Sequence, residues 1–177
     1  MNIWHNLNPK RINAQRFISV IEVSKGSKKK YELDKETGMI ILDRILHTAT
    51  HYPANYGFIP LTLSRDGDPL DVLVLCSEDL EPLCLVECYP IGLVRMIDDN
   101  EDDDKIIAIP FHDPVWNHYH ELSELPPHMG DEIKHFFKVY KDLEHKETSG
   151  FEIFGRSKAE DIIEESIENY KKKFKGR

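Results

Sequence analysis

Short apolar runs separated by turn residues fill the first 110 positions of the chain, and this pattern restricts it to a fold built mainly from strands. The runs are rich in β-branched residues, which favour extended backbone. They occupy residues 17–23, 30–34, 39–46, 71–76, 83–97 and 106–110. Five or six short strands with turns between them predict a small closed barrel.

Two segments within this half have more specific interpretations. Residues 83–97 are interrupted by Pro90 and Gly92, so two strands or one bent strand fit better than a helix. Residues 52–60, rich in Pro, Asn, Gly and aromatic residues, are predicted to form a loop.

The rest of the chain shows helical spacing. One helix is predicted to begin at Pro126-Pro127, with one face formed by Met129, Ile133, Phe136, Phe137 and Tyr140. Ser157-Lys-Ala-Glu160 resembles a capping box, and a C-terminal helix is expected over residues 157–175. We expect one domain over residues 1–177, with residues 1–16 as an N-terminal arm.

Composition narrows the choice of partners and compartment. The chain of 177 residues carries 23 Lys and Arg against 32 Asp and Glu, a formal net charge of −9. This excess of acids argues against binding to nucleic acid and to anionic membranes.

Three cysteines, an odd number, are typical of reduced thiols. No apolar run approaches the length that spans a bilayer, and the N-terminus lacks a signal-peptide pattern. We therefore expect a cytoplasmic protein.

The strongest chemical signal is Asp66-Gly-Asp-Pro-Leu-Asp71, which directly precedes a buried strand. Three carboxylates on a rigid turn suit a hard cation such as Mg²⁺, whereas Asp, Gly and Pro are also the usual residues of a surface turn. An EF-hand loop starting at Asp66 fails, because Asp71 and Ser77 stand where Gly and Glu are required. An aspartyl phosphatase would place its acids after the strand and not before it.

A second acidic segment runs from Asp98 to Asp104 and contains six acids in seven residues. Its ordinary interpretation is a flexible, solvated loop. If the segment instead folds over the Asp66–Asp71 turn, the two acidic segments surround a cavity for two or more metal ions.

Cationic and phenolic residues accompany the predicted strands and the first helix: Lys30, Arg44, Lys105, Tyr52, Tyr56, Tyr140 and Lys141. Each alone is most simply a surface charge or a core aromatic. Together with metal-binding carboxylates, they predict a site for a small, highly charged phosphate compound.

At the level of whole motifs, the chain resembles the soluble family I inorganic pyrophosphatases. The resemblance rests on the 66–72 segment and on blocks at residues 30–34, 43–44, 52–57, 98–105 and 136–143, in the same order as in that family. It covers residues 17–155. It implies a five-stranded closed OB-like barrel flanked by two helices, and Mg²⁺-dependent hydrolysis of pyrophosphate to two phosphates by a metal-activated water or hydroxide.

The resemblance also implies roles for particular residues. Asp68 would be the catalytic base. The metal ions, Mg²⁺ with Mn²⁺ or Zn²⁺ as substitutes, would be held by Asp66, Asp71, Asp98, Asp103, Glu22 and Glu32, the two glutamates acting mostly through waters. The substrate would contact Lys30, Arg44, Tyr56, Lys105, Tyr140 and Lys141, with Tyr52 in support.

Three questions stay open at this level. Asp104 stands beside Lys105 where a small residue is expected, so Asp102, Asp103 and Asp104 compete for one ligand role, with the count back from Lys105 favouring Asp103. The resemblance implies a homo-oligomer, a hexamer, and places Phe136 and Phe137 either at its interface or in the core. A non-catalytic OB-type binding module and a calcium-binding acidic protein are the alternative functions, and His118-x-His120 alone is too weak a pattern for a zinc site.

Overall fold

The computed structural model describes residues 1–176, which form a six-stranded sheet, a separate two-stranded hairpin and two α-helices. The strands are β1 (Phe17–Val23), β2 (Lys29–Leu33), β3 (Ile40–Ile45), β4 (Asn55–Ile59), β5 (Leu70–Val74), β6 (Leu85–Asp98), β7 (Glu101–Pro110) and β8 (Thr148–Gly155). The helices are α1 (Pro127–Val139) and α2 (Arg156–Lys173), with short 3-10 turns at Pro9–Arg11, Leu122–Glu124 and Asp142–Glu144.

Five strands of the large sheet close into a ring. They follow the order β1, β4, β5, β7, β6, and β6 pairs back with β1. Strands β5 and β7 run parallel, the other pairs of the ring are antiparallel, and β8 is added to β6 outside the ring. The predicted mainly-β fold with two flanking helices is therefore confirmed, and the predicted barrel corresponds to this ring.

The ring is buried on both sides, which explains why its strands are almost continuously apolar. One group of its side chains packs with Ala159 and Ile163 of α2 and with Trp4 near the N-terminus. The other packs with Phe136 and Phe137 of α1, which are 3% and 1% exposed. Both phenylalanines thus belong to the core of the chain, which is the second of the two positions that the sequence left open for them.

Strand β6 is one bent strand, the second of the two predicted alternatives. Its pairing with β7 shifts register between Pro90 and Gly92, where proline lacks the amide hydrogen for a regular ladder. A side chain at Gly92 would lie 2.9 Å from the carbonyl oxygen of Phe154 on β8. Both residues that interrupt the apolar run thus lie at the register shift, and Gly92 lets β8 approach closely there.

The predicted loop at residues 52–60 is wrong, because residues 55–59 form the fully buried strand β4. Gly57 permits this close packing, since a Cβ atom there would lie 1.8 Å from the carbonyl oxygen of Val20 on β1. The side chain of Asn55 is buried and accepts hydrogen bonds from the backbone amides of Lys25 and Leu80. Polar and glycine residues that indicate a loop in sequence are here strand residues with specific partners.

The helices match their predicted positions closely, but the predicted cap does not form. Helix α1 begins at Pro127 as expected, and α2 begins at Arg156 with Gly155 as its N-cap and no side-chain cap hydrogen bond. Ser157 thus lies inside the first turn.

Strand β8 was not predicted at all. Within residues 1–176, we find no helix with the length and apolarity needed to cross a membrane.

Candidate active site

One cavity of about 370 Å³ opens between the ring, the β2–β3 hairpin and the end of α1, and nearly all the predicted site residues line it. The thirteen that do so are Glu22, Lys30, Glu32, Arg44, Tyr56, Asp66, Asp68, Asp71, Asp98, Asp103, Lys105, Tyr140 and Lys141. Tyr52 lies behind this wall, 1% exposed, with its ring centroid 5.2 Å from that of Tyr56. Residues from seven separate segments of the sequence are thereby brought together.

The tight turn before β5 presents the first three carboxylates. The amide of Asp68 donates to Asp66 Oδ1 at 2.9 Å, and Gly67 adopts a φ of +86°, in the left-handed region that favours glycine. Leu70 is completely buried and holds the start of the strand, which leaves Asp71 beside it facing the cavity. The spacing of the motif thus follows from the turn and from the alternation of a strand.

Lys105 joins the acids of two strands. It stands opposite Asp71 in the parallel pairing of β5 and β7, and its Nζ lies 3.0 Å from Asp71 Oδ2 and 3.3 Å from Asp103 Oδ2. The same Nζ donates a hydrogen bond to Tyr56 Oη at 2.9 Å. Burial alone would lower the pKa of Lys105, but Asp103 and Asp71 raise it well above its usual value, so the ammonium stays charged.

The carboxylates of the cavity outnumber the cations that balance them. Burial raises the pKa of Asp103 to about 6, with Lys105 opposing the shift and Asp71 adding to it. Burial and the charge of Asp71 raise the pKa of Glu22 to about 8, although Glu22 Oε1 accepts a hydrogen bond from the amide of Leu33 at 2.8 Å. Burial also raises the pKa of Asp66. Additional positive charge at this place would favour the ionised carboxylates.

The three consecutive aspartates on β7 separate onto two faces. Asp103 faces the cavity with Lys105, two residues away. Asp104 instead accepts two hydrogen bonds from Arg95, at 2.7 and 2.9 Å, and Asp102 lies 3.9 Å from the same guanidinium. The predicted flexible loop is limited to a tight turn at Asp99 and Asn100, and the acids around it belong to strands.

The β2–β3 hairpin and the end of α1 supply the facing cations. Lys30 and Arg44 are paired residues on β2 and β3, and Lys30 Nζ lies 3.5 Å from Asp43 Oδ2. Directly after α1, Lys141 Nζ donates to Asp98 Oδ2 at 2.6 Å. Lys35, in the hairpin turn, was not predicted; it lines the cavity and contacts Asp68. In the sequence, the feature that could have indicated Lys35 is its position directly after the 30–34 block.

The donor set of the cavity fits a hard divalent cation, since its ligating atoms are carboxylate oxygens. In the conformation described, lysines lie beside these oxygens: Lys105 beside Asp71 and Asp103, and Lys141 beside Asp98. Over residues 1–176, no three His, Cys, Asp or Glu side chains are arranged as a group that could hold a metal ion. The fit therefore rests on the chemistry of the donors and on the raised pKa values of Glu22, Asp66 and Asp103.

Comparison with known proteins decides the family. A family model described as inorganic pyrophosphatase matches residues 19–171. Soluble inorganic pyrophosphatase 2 of Chlamydomonas reinhardtii is 46% identical over 172 residues, which cover 97% of this chain and 89% of that protein. The chain belongs to the inorganic pyrophosphatase family. The family consists of enzymes that hydrolyse inorganic pyrophosphate, so the site described above is the candidate active site of such an enzyme.

Solved inorganic pyrophosphatases have the same fold. The enzyme from Thermus thermophilus superimposes with a TM-score of 0.91 at 37% identity and covers 97% of this chain and 99% of its own. The pyrophosphatase from Helicobacter pylori gives 0.86 at 41% identity, covering 90% and 95%. The ring of strands and its flanking helices are thus the pyrophosphatase architecture.

Proposed function

We propose that this chain hydrolyses inorganic pyrophosphate to two phosphates with Mg²⁺ held by the carboxylates of the cavity. The observation that carries the proposal is that seven carboxylates and five cationic side chains line one cavity of about 370 Å³. Pyrophosphate is small and highly anionic, so it needs both the lysine and arginine donors and the metal ions that the carboxylates attract. Membership of the pyrophosphatase family supports the same activity.

The acids divide into metal ligands and a base. Asp66, Asp71 and Asp103 would hold the activating metal, Asp98 would share a further ion with Asp103, and two glutamates, Glu22 and Glu32, would act mostly through waters. When bound, Mg²⁺ neutralises phosphate charge and lowers the pKa of water. Zn²⁺ and Mn²⁺ are expected to substitute for it.

Asp68 is assigned as the residue that accepts a proton from the attacking water. It lines the cavity between Asp66 and the start of β5, and about half of its side chain is exposed, so water reaches it. Its partner Lys35 is also half-exposed and contacts it from the hairpin turn. Asp68 is thus a carboxylate that is held in place by a turn and reached by water, which is the geometry that proton transfer from water requires.

The cations and phenols bind the phosphate oxygens. The Nη2 of Arg44 is buried and has no hydrogen-bond partner within residues 1–176, so it is available to donate to an anion. Lys105 and Tyr56 form one hydrogen-bonded pair. Tyr140 and Lys141, directly after α1, line the cavity as well. Tyr52 supports the site by packing between Tyr56 and Phe136. Together with Lys30, these groups neutralise charge on the departing phosphate.

Release of phosphate from pyrophosphate tests the proposal directly. The purified chain is mixed with pyrophosphate and Mg²⁺, and the released phosphate is measured with and without EDTA, then with Mn²⁺ or Zn²⁺ in place of Mg²⁺. We expect rapid release that EDTA abolishes. Metal binding without phosphate release would contradict the proposal and favour a calcium-binding or other non-catalytic protein.

We further propose a cytoplasmic homohexamer. Four apolar side chains at β3 are about half or more exposed, and they offer a surface for contact between copies: Met39, Ile41, Leu42 and Ile45. His135 of α1 is exposed as well. Light scattering should give about six times the protomer mass of 20.7 kDa. A monomer at micromolar concentration would contradict the assembly, and cell fractionation tests the compartment.

A further inference from the structure

The β2–β3 hairpin carries two of the proposed phosphate-binding cations, yet its strands form no backbone ladder with the six-stranded sheet. The sheet register that places Asp71 opposite Lys105 therefore does not place Arg44. Other contacts must hold the guanidinium of Arg44 at the cavity.

Glu144 is the residue that makes such a contact from the opposite wall. It lies in the 3-10 turn Asp142–Glu144, and its Oε1 is 2.7 Å from Arg44 Nε. Its side chain is only 9% exposed, and that of Arg44 is 21% exposed, so solvent screens this pair weakly. On the other side, Arg44 Nη1 contacts Asp43, its neighbour on β3.

This arrangement leaves one end of the guanidinium free. Nε makes an ion contact with Glu144 that lacks hydrogen-bond geometry, and Nη1 contacts Asp43, whereas Nη2 is buried and has no hydrogen-bond partner among residues 1–176. A planar guanidinium held along two of its edges has a fixed orientation, and its remaining donor points in a defined direction.

The backbone of Glu144 is tied to the same wall as the site residues Tyr140 and Lys141. Its amide donates to the carbonyl oxygen of Lys141 at 3.0 Å. The Arg44–Glu144 contact thus joins the hairpin side of the cavity to the helix side.

We propose that Glu144 is a positioning residue for pyrophosphate hydrolysis, which holds Arg44 so that its free Nη2 faces the substrate. The inference rests on the proposed function, because it takes Arg44 as a phosphate ligand. Without Glu144, the guanidinium turns towards Asp43 and other acids, and substrate binding pays the cost of reorienting it.

Steady-state kinetics of variants test this role. Glu144→Ala should raise KM for pyrophosphate about ten-fold while kcat changes less than about three-fold, since misplaced binding groups weaken affinity first. Glu144→Gln keeps an oxygen at the same position and should recover part of the loss. Glu147→Ala is the matched control: Glu147 is exposed in the following segment, and no hydrogen bond or ion pair of its side chain is found within residues 1–176.

A double-mutant cycle separates positioning from a structural role. If Glu144 acts through Arg44, then Glu144→Ala should have little further effect on kcat/KM in an Arg44→Ala background. An equal loss in both backgrounds, or a lowered melting temperature with unchanged KM, would overturn the inference. If the alanine variant does not fold, the same double-mutant cycle is measured with Glu144→Gln.

A readout independent of activity uses the metal-free, substrate-free protein. Phenylglyoxal modifies arginine side chains, and peptide mass spectrometry gives the rate at Arg44. We expect faster modification in Glu144→Ala than in wild type and no change in Glu147→Ala. Equal rates in all three would overturn the inference. An inactive wild type would contradict the proposed function instead, which keeps the two failures distinct.

Discussion

Lys105 Nζ lies 2.9 Å from Tyr56 Oη and 3.0 Å from Asp71 Oδ2, so a single buried ammonium connects β4, β5 and β7. Lys105 is 2% exposed, and its nearest carboxylates are themselves partly or largely buried. Its charge therefore contributes to the stability of the fold as well as to the site.

Lys105→Met should destabilise the metal-free protein by about 3–5 kcal/mol at neutral pH, because it leaves buried carboxylates without their partner. Mg²⁺ should restore part of this loss by binding the folded state. Urea unfolding with and without Mg²⁺ gives both values. Lys138→Met, at an exposed position of α1, is the control. An unchanged urea midpoint for Lys105→Met would show that the pair contributes nothing to stability.

Asp68→Asn should keep metal binding and lose about 10²-fold or more in kcat at neutral pH, since the amide cannot accept the proton. Phosphate release at saturating Mg²⁺ measures this loss. Asp161→Asn, at an exposed position of α2, should leave kcat unchanged. Near-wild-type turnover of Asp68→Asn would remove Asp68 from the role of base.

Asp103→Asn should weaken Mg²⁺ binding by about 100-fold and reduce turnover with it, whereas Asp102→Asn should change both less than about three-fold. Asp103 faces the cavity, while Asp102 is 39% exposed and pairs with Arg65 at 3.6 Å, an interaction that contributes little. Isothermal titration calorimetry with Mg²⁺ distinguishes them. Equal effects of the two substitutions would mean that the direction of a side chain on β7 does not determine which aspartate binds the metal.

The three cysteines should differ strongly in reactivity. Burial raises the pKa of Cys88 to about 12 and also raises that of Cys76, whereas Cys84 is partly exposed. With this pKa, about one Cys88 in ten thousand is a thiolate at pH 8, and the fraction rises about ten-fold for each further pH unit.

A disulfide reagent at pH 8 should therefore label one thiol quickly in the native protein and three in denaturant. Cys84→Ser should abolish the fast phase, and the slow phase should accelerate with pH. Two fast thiols in the native protein would contradict the burial of Cys76 or Cys88.

Sequence patterns predicted the strand-rich first part, both helices and thirteen of the residues that line the cavity. Local chemistry was sufficient for the strands, the helices and the Asp66–Asp71 turn, because apolar periodicity and turn formation are properties of neighbouring residues. The two glutamates of the cavity, Glu22 and Glu32, were predicted only through the resemblance to the pyrophosphatase family. Strand β4 was missed, since Asn55 and Gly57 indicate a loop until their distant partners are known. Strand β8 was missed because only pairing with β6 reveals it.

The amino-acid sequence by itself determined which residue types the site contains and in which order they occur along the chain. Only the tertiary structure decided which of them meet. The pairing of β6 with β7 turns Asp103 to the cavity and Asp104 to Arg95, and the fold brings Glu144 against Arg44 from another wall. The physical reason is that side-chain direction in a strand depends on register, and register is set by partners far away in the sequence.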